Sequence, residues 1–332
     1  MSTTTLPWQQ PGWLEQAHDW IRAELKRGQV QILGEIEQPH IRPWSTVLRI
    51  TADEGLFFFK ATAPYFGHET ALTAFLARQY PHLSPQVLAV NLDRHWLLMR
   101  DSGTPLRASI RAGQTIEPWR DVLPLYVILQ KDLSTRQPEL LGMGVPDRRL
   151  ERLPALFSEL LTDEAAMLLD QPESLTTAEF ERLKAFGPRF EQMCARLASS
   201  GIPESLHHDD FHDGNIFLQD GRIIFTDWGE SAVTHPFFTL VVMLRSVENS
   251  LNVEPEAPQV QTLRDWYLAL WGDYAPISQL RPVVALAERI GYVNRALTWH
   301  MLISQLPEEL KPEYASAVPS YLKEFINSVE PE

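Results

Sequence analysis

The stretch His207 to Ser231, HHDDFHDGNIFLQDGRIIFTDWGES, constrains this chain more than any other. Two short apolar runs rich in β-formers, Ile216-Phe217-Leu218 and Ile223-Ile224-Phe225, are punctuated by the turn dipeptides Asp213-Gly214 and Asp220-Gly221. The pattern predicts a loop, a strand, a tight turn, a second strand and a closing loop. Such a hairpin holds Asp210 and Asn215 at one end and Asp227 just past its second strand, so two carboxylates and an amide converge. These are hard oxygen donors, which suit magnesium rather than zinc. Two blander readings stand beside this one. The Asp-Gly pairs are also what ordinary hairpin turns use. His207, His208 and His212 with Asp209 and Asp210 also have the composition of a transition-metal cluster in a phosphohydrolase. A cluster of that kind prefers helical ligands, and Gly214-Asn215 followed by strand-like sequence argues against a helix here.

His208-Asp209-Asp210-Phe211-His212-Asp213-Gly214-Asn215, followed by Asp227-Trp228-Gly229, resembles the catalytic and metal-binding segments of the aminoglycoside phosphotransferase family. The family pattern is His-Gly-Asp-Leu-His-Pro-Gly-Asn with a later Asp-Trp or Asp-Phe. Here Asp209 stands for the usual glycine and Asp213 for the usual proline. The resemblance implies an α+β, bilobal protein-kinase-like fold and a small-molecule kinase using ATP and magnesium. It makes Asp210 the catalytic aspartate, Asn215 and Asp227 the metal ligands, and His208 and His212 supports of the catalytic loop. Phosphoryl transfer through a loose transition state needs mainly positioning and charge neutralisation, which these residue types supply.

The 332 residues are enough for two domains, and 44% hydrophobic with 22% charged content is ordinary for a globular chain. A net charge of −14 disfavours nonspecific nucleic-acid binding. The one cysteine, Cys194, cannot form an intrachain disulfide; it fits a reducing compartment and a small core position. The first residues show no basic segment leading into an apolar core, and no apolar run approaches membrane-spanning length. The expectation is a cytoplasmic protein with neither nucleic-acid nor membrane partners. Nothing in the sequence sets an oligomeric state.

In chain order, Trp13, Ala17, Ile21 and Leu25 recur at helical spacing and predict an amphipathic helix over 13–27. Strands are predicted over 30–36, 45–50 and 56–60, the last two joined by Asp53-Glu54-Gly55, and then over 87–90 and 96–99. Together they make a five-stranded antiparallel sheet. By the resemblance, the loop EQPHIRPWS covers the phosphates although it has no glycine, with Ser45 and Thr46 as backbone contacts. By the same resemblance, Lys60 is expected to contact phosphate and to pair with Glu69, which lies in a predicted helix over 67–80. Without the downstream motif these would be a strand-end lysine and a solvated glutamate. His68 reads as a surface residue. The resemblance also implies a hinge that binds adenine through its main chain, with Met99 and Arg100 as the candidates. Glu117 onward reads as helical, 142–149 as a connecting loop, and 150–161 as a helix. Thr176-x-x-Glu179 is a capping-box signature for a helix reaching Leu197, broken at Gly187-Pro188. Further helices are predicted over 239–251, 260–271, 280–302 and 312–325.

Thr239 falls where the family places an aspartate that braces the catalytic loop, and a hydroxyl there can hydrogen-bond without charge. Trp266, Trp271, Trp299 and Tyr292 read as an aromatic core in preference to an acceptor wall. The expected domains are a nucleotide-binding lobe over 1–100 and a helical lobe over 101–332. The expected reaction transfers the γ-phosphate to a hydroxyl of a small molecule. The competing readings are a catalytically silent nucleotide-binding protein, supported by the glycine-free loop and Thr239, and more distantly the metal-dependent phosphohydrolase. Acceptor identity and the choice of ATP over GTP are not encoded in these motifs.

Overall fold

A computed structural model describes residues 6–172 and 174–329. The chain forms two compact units. The first comprises the residues up to Pro105 together with Gly214–Gly229 and Gln305–Leu310; the second holds Leu106–Asp213, Glu230–Ser304 and the segment from Lys311.

The first unit is built on a five-stranded antiparallel sheet: β1 (Glu37–Ile41), β2 (Ser45–Ala52), β3 (Gly55–Thr62), β4 (Val87–Asn91) and β5 (Trp96–Arg100), in the order β1-β2-β3-β5-β4. Alternation along β3 decides its two faces. Phe57, Phe59 and Ala61 are buried with Trp13, Ala17, Ile21 and Leu25 of the helix α1 (Trp13–Arg27). Trp13, Trp20 and Trp96 meet Phe59 edge-on at centroid distances of 5.3–6.2 Å, an arrangement that ring quadrupoles favour. Phe58 and Lys60 point the other way, with Val47, Leu97 and Met99, onto an open cavity. A second helix, α2 (His68–Gln79), carries Glu69 in its first turn.

The sheet has five strands as expected, but its first strand is not 30–36. That segment makes one isolated bridge, Ile32 to Ala52, and the strand begins at Glu37. EQPHIRPWS is therefore mostly the edge strand β1, and the connection to β2 is only residues 42–44, closed by Arg42 N donating to Ser45 O at 2.8 Å. The run Val30–Ile36 has the composition of a strand, but Leu33 and Gly34 interrupt its alternation, and β1 carries the polar residues typical of a sheet edge. Ser45 and Thr46 belong to β2 and are buried. His68 is also buried, beside Phe66.

The predicted hairpin is present as Ile216–Gln219 paired with Arg222–Phe225, and Phe225 N donates to Leu83 O at 2.9 Å. Gly103 is required where Thr104-Pro105 joins this hairpin: its φ is +91°, and a Cβ there would sit 2.3 Å from the Leu218 carbonyl oxygen.

The second unit is helical. The capping box at Thr176 and Glu179 forms, and the helix it starts, Thr177–Ala185, gives way at Gly187-Pro188 to Gly187–Ala198, where Cys194 is buried. The predicted helix over 150–161 is shorter, Leu153–Leu160, because 150–152 form a turn ahead of Pro154. The predicted 312–325 helix is two pieces, Lys311–Tyr314 and Ala317–Ser328. Ile277–Ser304 is the long central helix. Its Gly291 lets it approach closely: a Cβ would come within 2.8 Å of a Val241 methyl. Of the aromatic set, Trp271 is buried against Phe237 at 5.3 Å, Trp299 stacks on Tyr314, and Trp266 lies under the Arg120 guanidinium at 4.0 Å. They serve separate packing contacts and form no common wall. No helix among the described residues is long and apolar enough to cross a membrane.

Candidate active site

In the first unit, β3 brings Lys60 and α2 brings Glu69 to one point. Lys60 Nζ donates to Glu69 Oε1 at 2.6 Å and to Asp227 Oδ1 at 2.7 Å, and Thr62 Oγ1 donates to Glu69 Oε2 at 2.8 Å. Burial works against the charge on Lys60, but Asp227 and Glu69 outweigh it and raise its pKa. Burial raises the pKa of Glu69, and Lys60 opposes that rise. A buried lysine with two carboxylates is a fixed positive charge, able to hold an anion only at an exposed edge. Asp227 is the accessible member of the trio: its side chain is 48% exposed while those of Lys60 and Glu69 are 11% and 2% exposed.

Asp227 has φ +64°, a left-handed backbone that costs a non-glycine residue energy and collects at functional sites. Its neighbour Thr226 is tied to Asn215, since both Thr226 N and Oγ1 donate to the Asn215 carbonyl at 3.0 Å. The hairpin register thus places Asn215 opposite the residue before Asp227. The amide and the carboxylate are donors able to hold magnesium.

Lys60, Glu69, Thr226 and Asp227 lie on a cavity of about 440 Å³, lined also by His40, Ser45 and Met99 to Gly103 among others; Asn215 is not on its wall. Met99 and Arg100 are on its wall. The main-chain N–H of Arg100 already donates to Gln86 O and that of Asp101 to Leu56 O, both at 3.0 Å. The Arg100 guanidinium is committed to Glu54 and to the face of Phe57. A larger hollow of about 690 Å³, lined by Arg78, His82 and Arg222, contains no carboxylate, so size alone does not locate the chemistry.

In the second unit, Asp210 Oδ2 lies 3.3 Å from His212 Nε2, and His212 Nδ1 lies 3.2 Å from an Arg107 nitrogen. Arginine can only donate, so Nδ1 accepts and Nε2 carries the proton toward Asp210. Burial disfavours ionised Asp210, but His212, Arg295 and His208 outweigh it and hold its pKa well below the usual carboxylate range. The same pairing raises the pKa of His212 against the effect of burial. His212 therefore fixes the rotamer and charge of Asp210.

The neighbouring Asp209 is buried with φ +58°, in the place where the family pattern has glycine. Asn294 Nδ2 donates to its Oδ1 at 2.8 Å, His207 Nε2 donates to the same oxygen at 2.9 Å, and the Thr298 hydroxyl donates to Oδ2. Arg295 and Arg148 stand 3.4 and 3.7 Å from Oδ2, and Arg295 also donates to the Asp209 carbonyl at 2.9 Å. The left-handed strain is thus held by a buried ionic network.

Thr239 braces the loop indirectly. Its hydroxyl is 3.2 Å from Tyr126 Oη, which accepts from His208 N at 3.3 Å, while the Tyr126 ring stacks on Phe211 at 3.8 Å. Thr239→Val is expected to lower unfolding free energy by about 1 kcal/mol, one buried hydrogen bond, in denaturant titration. An unchanged midpoint would mean that Tyr126 holds the loop alone.

His208 is buried and its ring faces Phe211. Among the described residues, no group of three or more His, Cys, Asp or Glu is placed to hold a metal ion, so the three histidines do not form a cluster. The sequence reading missed Arg148, Arg295 and Asn294. Their one signal is polarity out of place: Asn294, Arg295 and Thr298 sit among Ile290, Val293, Ala296 and Leu297 on a helix that is otherwise apolar there.

Residues 43–278, well over half of the chain, match the model of the phosphotransferase enzyme family (APH). The chain belongs to that family and is a small-molecule phosphotransferase of protein-kinase-like fold. Among solved structures it is similar to the choline kinase LicA from Streptococcus pneumoniae, at 14% identity and TM-score 0.60, covering 93% of this chain and 99% of that one. It is also similar to an ethanolamine kinase from Plasmodium vivax, at 14% identity and TM-score 0.59, covering 96% and 91%. A macrolide 2'-phosphotransferase from Brachybacterium faecium aligns at 16% identity and TM-score 0.53, over 91% and 98%. At these identities the likeness is one of fold. No curated protein matches in sequence.

Proposed function

We propose that the protein is an ATP- and magnesium-dependent kinase that phosphorylates a hydroxyl of a small molecule. The observation that carries this reading is the Lys60–Glu69–Asp227 arrangement on a nucleotide-sized cavity, with Asn215 held beside it by the hairpin. Lys60 binds phosphate oxygens and Glu69 keeps it in position. Met99 and its neighbours flank the base. Asn215 and Asp227 would hold magnesium, which when bound supplies positive charge to the phosphates.

Asp210, five residues before Asn215, orients the acceptor hydroxyl. The hydroxyl oxygen forms a bond to the γ-phosphorus, the bond from that phosphorus to the bridging oxygen breaks, the proton passes to Asp210 and ADP leaves. A carboxylate held below its usual pKa is a weak base. That suits a loose transition state, in which the proton is lost late and alignment matters more than basicity. The solved relatives named for choline, ethanolamine and macrolides share a fold and differ in acceptor, so the fold does not carry acceptor identity.

Thermal unfolding tests nucleotide binding. At a hundred times its dissociation constant, ATP with magnesium stabilises the wild type by about 2.7 kcal/mol. Asp227→Ala is expected to abolish the magnesium-dependent part. If wild type shows no shift with any nucleotide, the reading fails. If it shows a shift but transfers phosphate to no acceptor, the protein is a silent nucleotide binder.

A further inference from the structure

We infer that the acceptor is an anion: a small hydroxyl compound carrying a carboxylate or phosphate group, received by the arginine-lined cavity beside Asp210. This rests on the kinase reading above and names the substrate class of that site.

The cavity lies wholly within the second unit and has a volume of about 460 Å³. Its wall carries four guanidinium groups, from Arg107, Arg111, Arg245 and Arg295, and a single carboxylate, that of Asp210. In a chain of net charge −14 this wall is a local concentration of guanidinium donors. Three of the arginines are anchored by carboxylates that are not on the wall: Arg107 by Asp213 at 2.6 Å, Arg245 by Glu324 at 3.1 Å, and Arg295 by Glu230 and Asp209. These anchors orient the guanidinium groups without using all five N–H donors of each. Arg295 is 5% exposed, and among the described residues its Nε has no hydrogen-bond partner. Leaving such a donor buried and unmet is costly unless a ligand or water meets it. Arg111 forms no ion pair among the described residues and is exposed at the cavity wall.

The aromatic and acidic groups that a cationic alcohol would need are scarce. Tyr321 is the one Phe, Tyr or Trp on the wall, and the Arg245 guanidinium already lies 5.1 Å from its ring. A cationic acceptor would meet guanidinium donors, one of them, Arg111, with no ion pair among the described residues to offset its charge. An anionic one would meet fork-shaped donors matched to carboxylate and phosphate oxygens, with Asp210 left to take the hydroxyl.

The test is ADP formation by the full chain with ATP and magnesium. Size-matched hydroxyl compounds are supplied in four arms: hydroxycarboxylates, phosphorylated alcohols, neutral polyols and amino alcohols. The expected result is that the highest kcat/KM falls in one of the two anionic arms, and which arm identifies the anion. Arg111→Ala, an exposed change that should not disturb folding, is expected to raise KM for that acceptor about tenfold or more, the loss of one charge-assisted contact. Its KM for ATP and its kcat should stay near wild type. A best acceptor in the neutral or amino-alcohol arm would overturn the inference. So would no transfer to either anionic arm by protein that ATP stabilises, or an Arg111→Ala effect confined to the KM for ATP. Loss of ATP stabilisation in the wild type would instead remove the kinase reading on which it rests.

Discussion

Asp210→Asn is expected to lower kcat by about 10²–10⁴-fold while ATP and magnesium still stabilise the folded protein. The amide keeps the size of the side chain but removes the negative charge that His212 and Arg295 face. Because His212 Nε2 donates to Asp210, an amide oxygen can still accept that bond, so the loop geometry should survive and the loss should fall on the chemical step. The measurement is steady-state transfer with a competent acceptor, paired with thermal unfolding in the presence of nucleotide. A kcat within a few-fold of wild type would remove Asp210 from the reaction and return the search to the other carboxylates of the second unit.

The second large effect is on stability. Asp209→Ala takes away the carboxylate that Arg148 and Arg295 face in the interior, leaving two buried cations with fewer partners. Removing one member of a buried pair costs about 3–5 kcal/mol, which for a chain of this length corresponds to a fall in Tm on the order of 10 °C. Restoring the family pattern with Asp209→Gly relieves the left-handed backbone, but it does not restore the charge. It should therefore recover only about 1 kcal/mol relative to alanine. If Asp209→Gly were as stable as wild type, the ionic network would contribute no more than the roughly 1 kcal/mol that the left-handed backbone costs.

The same network sets an acid limit. Burial resists ionisation of Asp209, but Arg295, His207 and Arg148 outweigh it and depress its folded-state pKa. A group depressed on folding contributes stability that is fully present above its unfolded value, about 3.9, and that is lost as pH falls toward the folded value. Wild type should therefore lose stability below about pH 4 more steeply than Asp209→Asn, which has no proton to take up there. Parallel denaturation curves at pH 3 and pH 6 read this directly. Equal losses in the two proteins would mean that other carboxylates govern acid unfolding.

The opposite behaviour of two neighbouring groups marks what this part of the chain does. Glu230 is lifted to about 7, mainly by burial; Arg295 opposes the rise, and the charges of Asp210 and Asp209 add to it. Arg295 thus stands among three carboxylates and holds Asp209 and Asp210 ionised side by side. That position explains why aspartate is sustainable at 209, where the family pattern has glycine.

Local order was readable from the residues because it depends on neighbours in sequence. Strand alternation put Lys60 on the face of β3 opposite Phe57 and Phe59, helical spacing put Trp13, Ala17, Ile21 and Leu25 on one side of α1, and the Asp220-Gly221 turn set the register between Asn215 and Thr226. Thr176 and Glu179 likewise specify their own helix start. The start of the sheet was misread at Val30–Ile36, since an edge strand such as β1 is polar and lacks the apolar signature of an interior one. What only the tertiary structure decided are pairings across long separations: Lys60 with Asp227, Thr239 with Tyr126, and Asp209 with Arg148 and Arg295. A buried charge carries no periodic signal, and its partner is set by how helices pack after the chain has folded. The arginine-lined cavity belongs to the same class, because its wall is assembled from helices whose sequences, read singly, show ordinary surface charge.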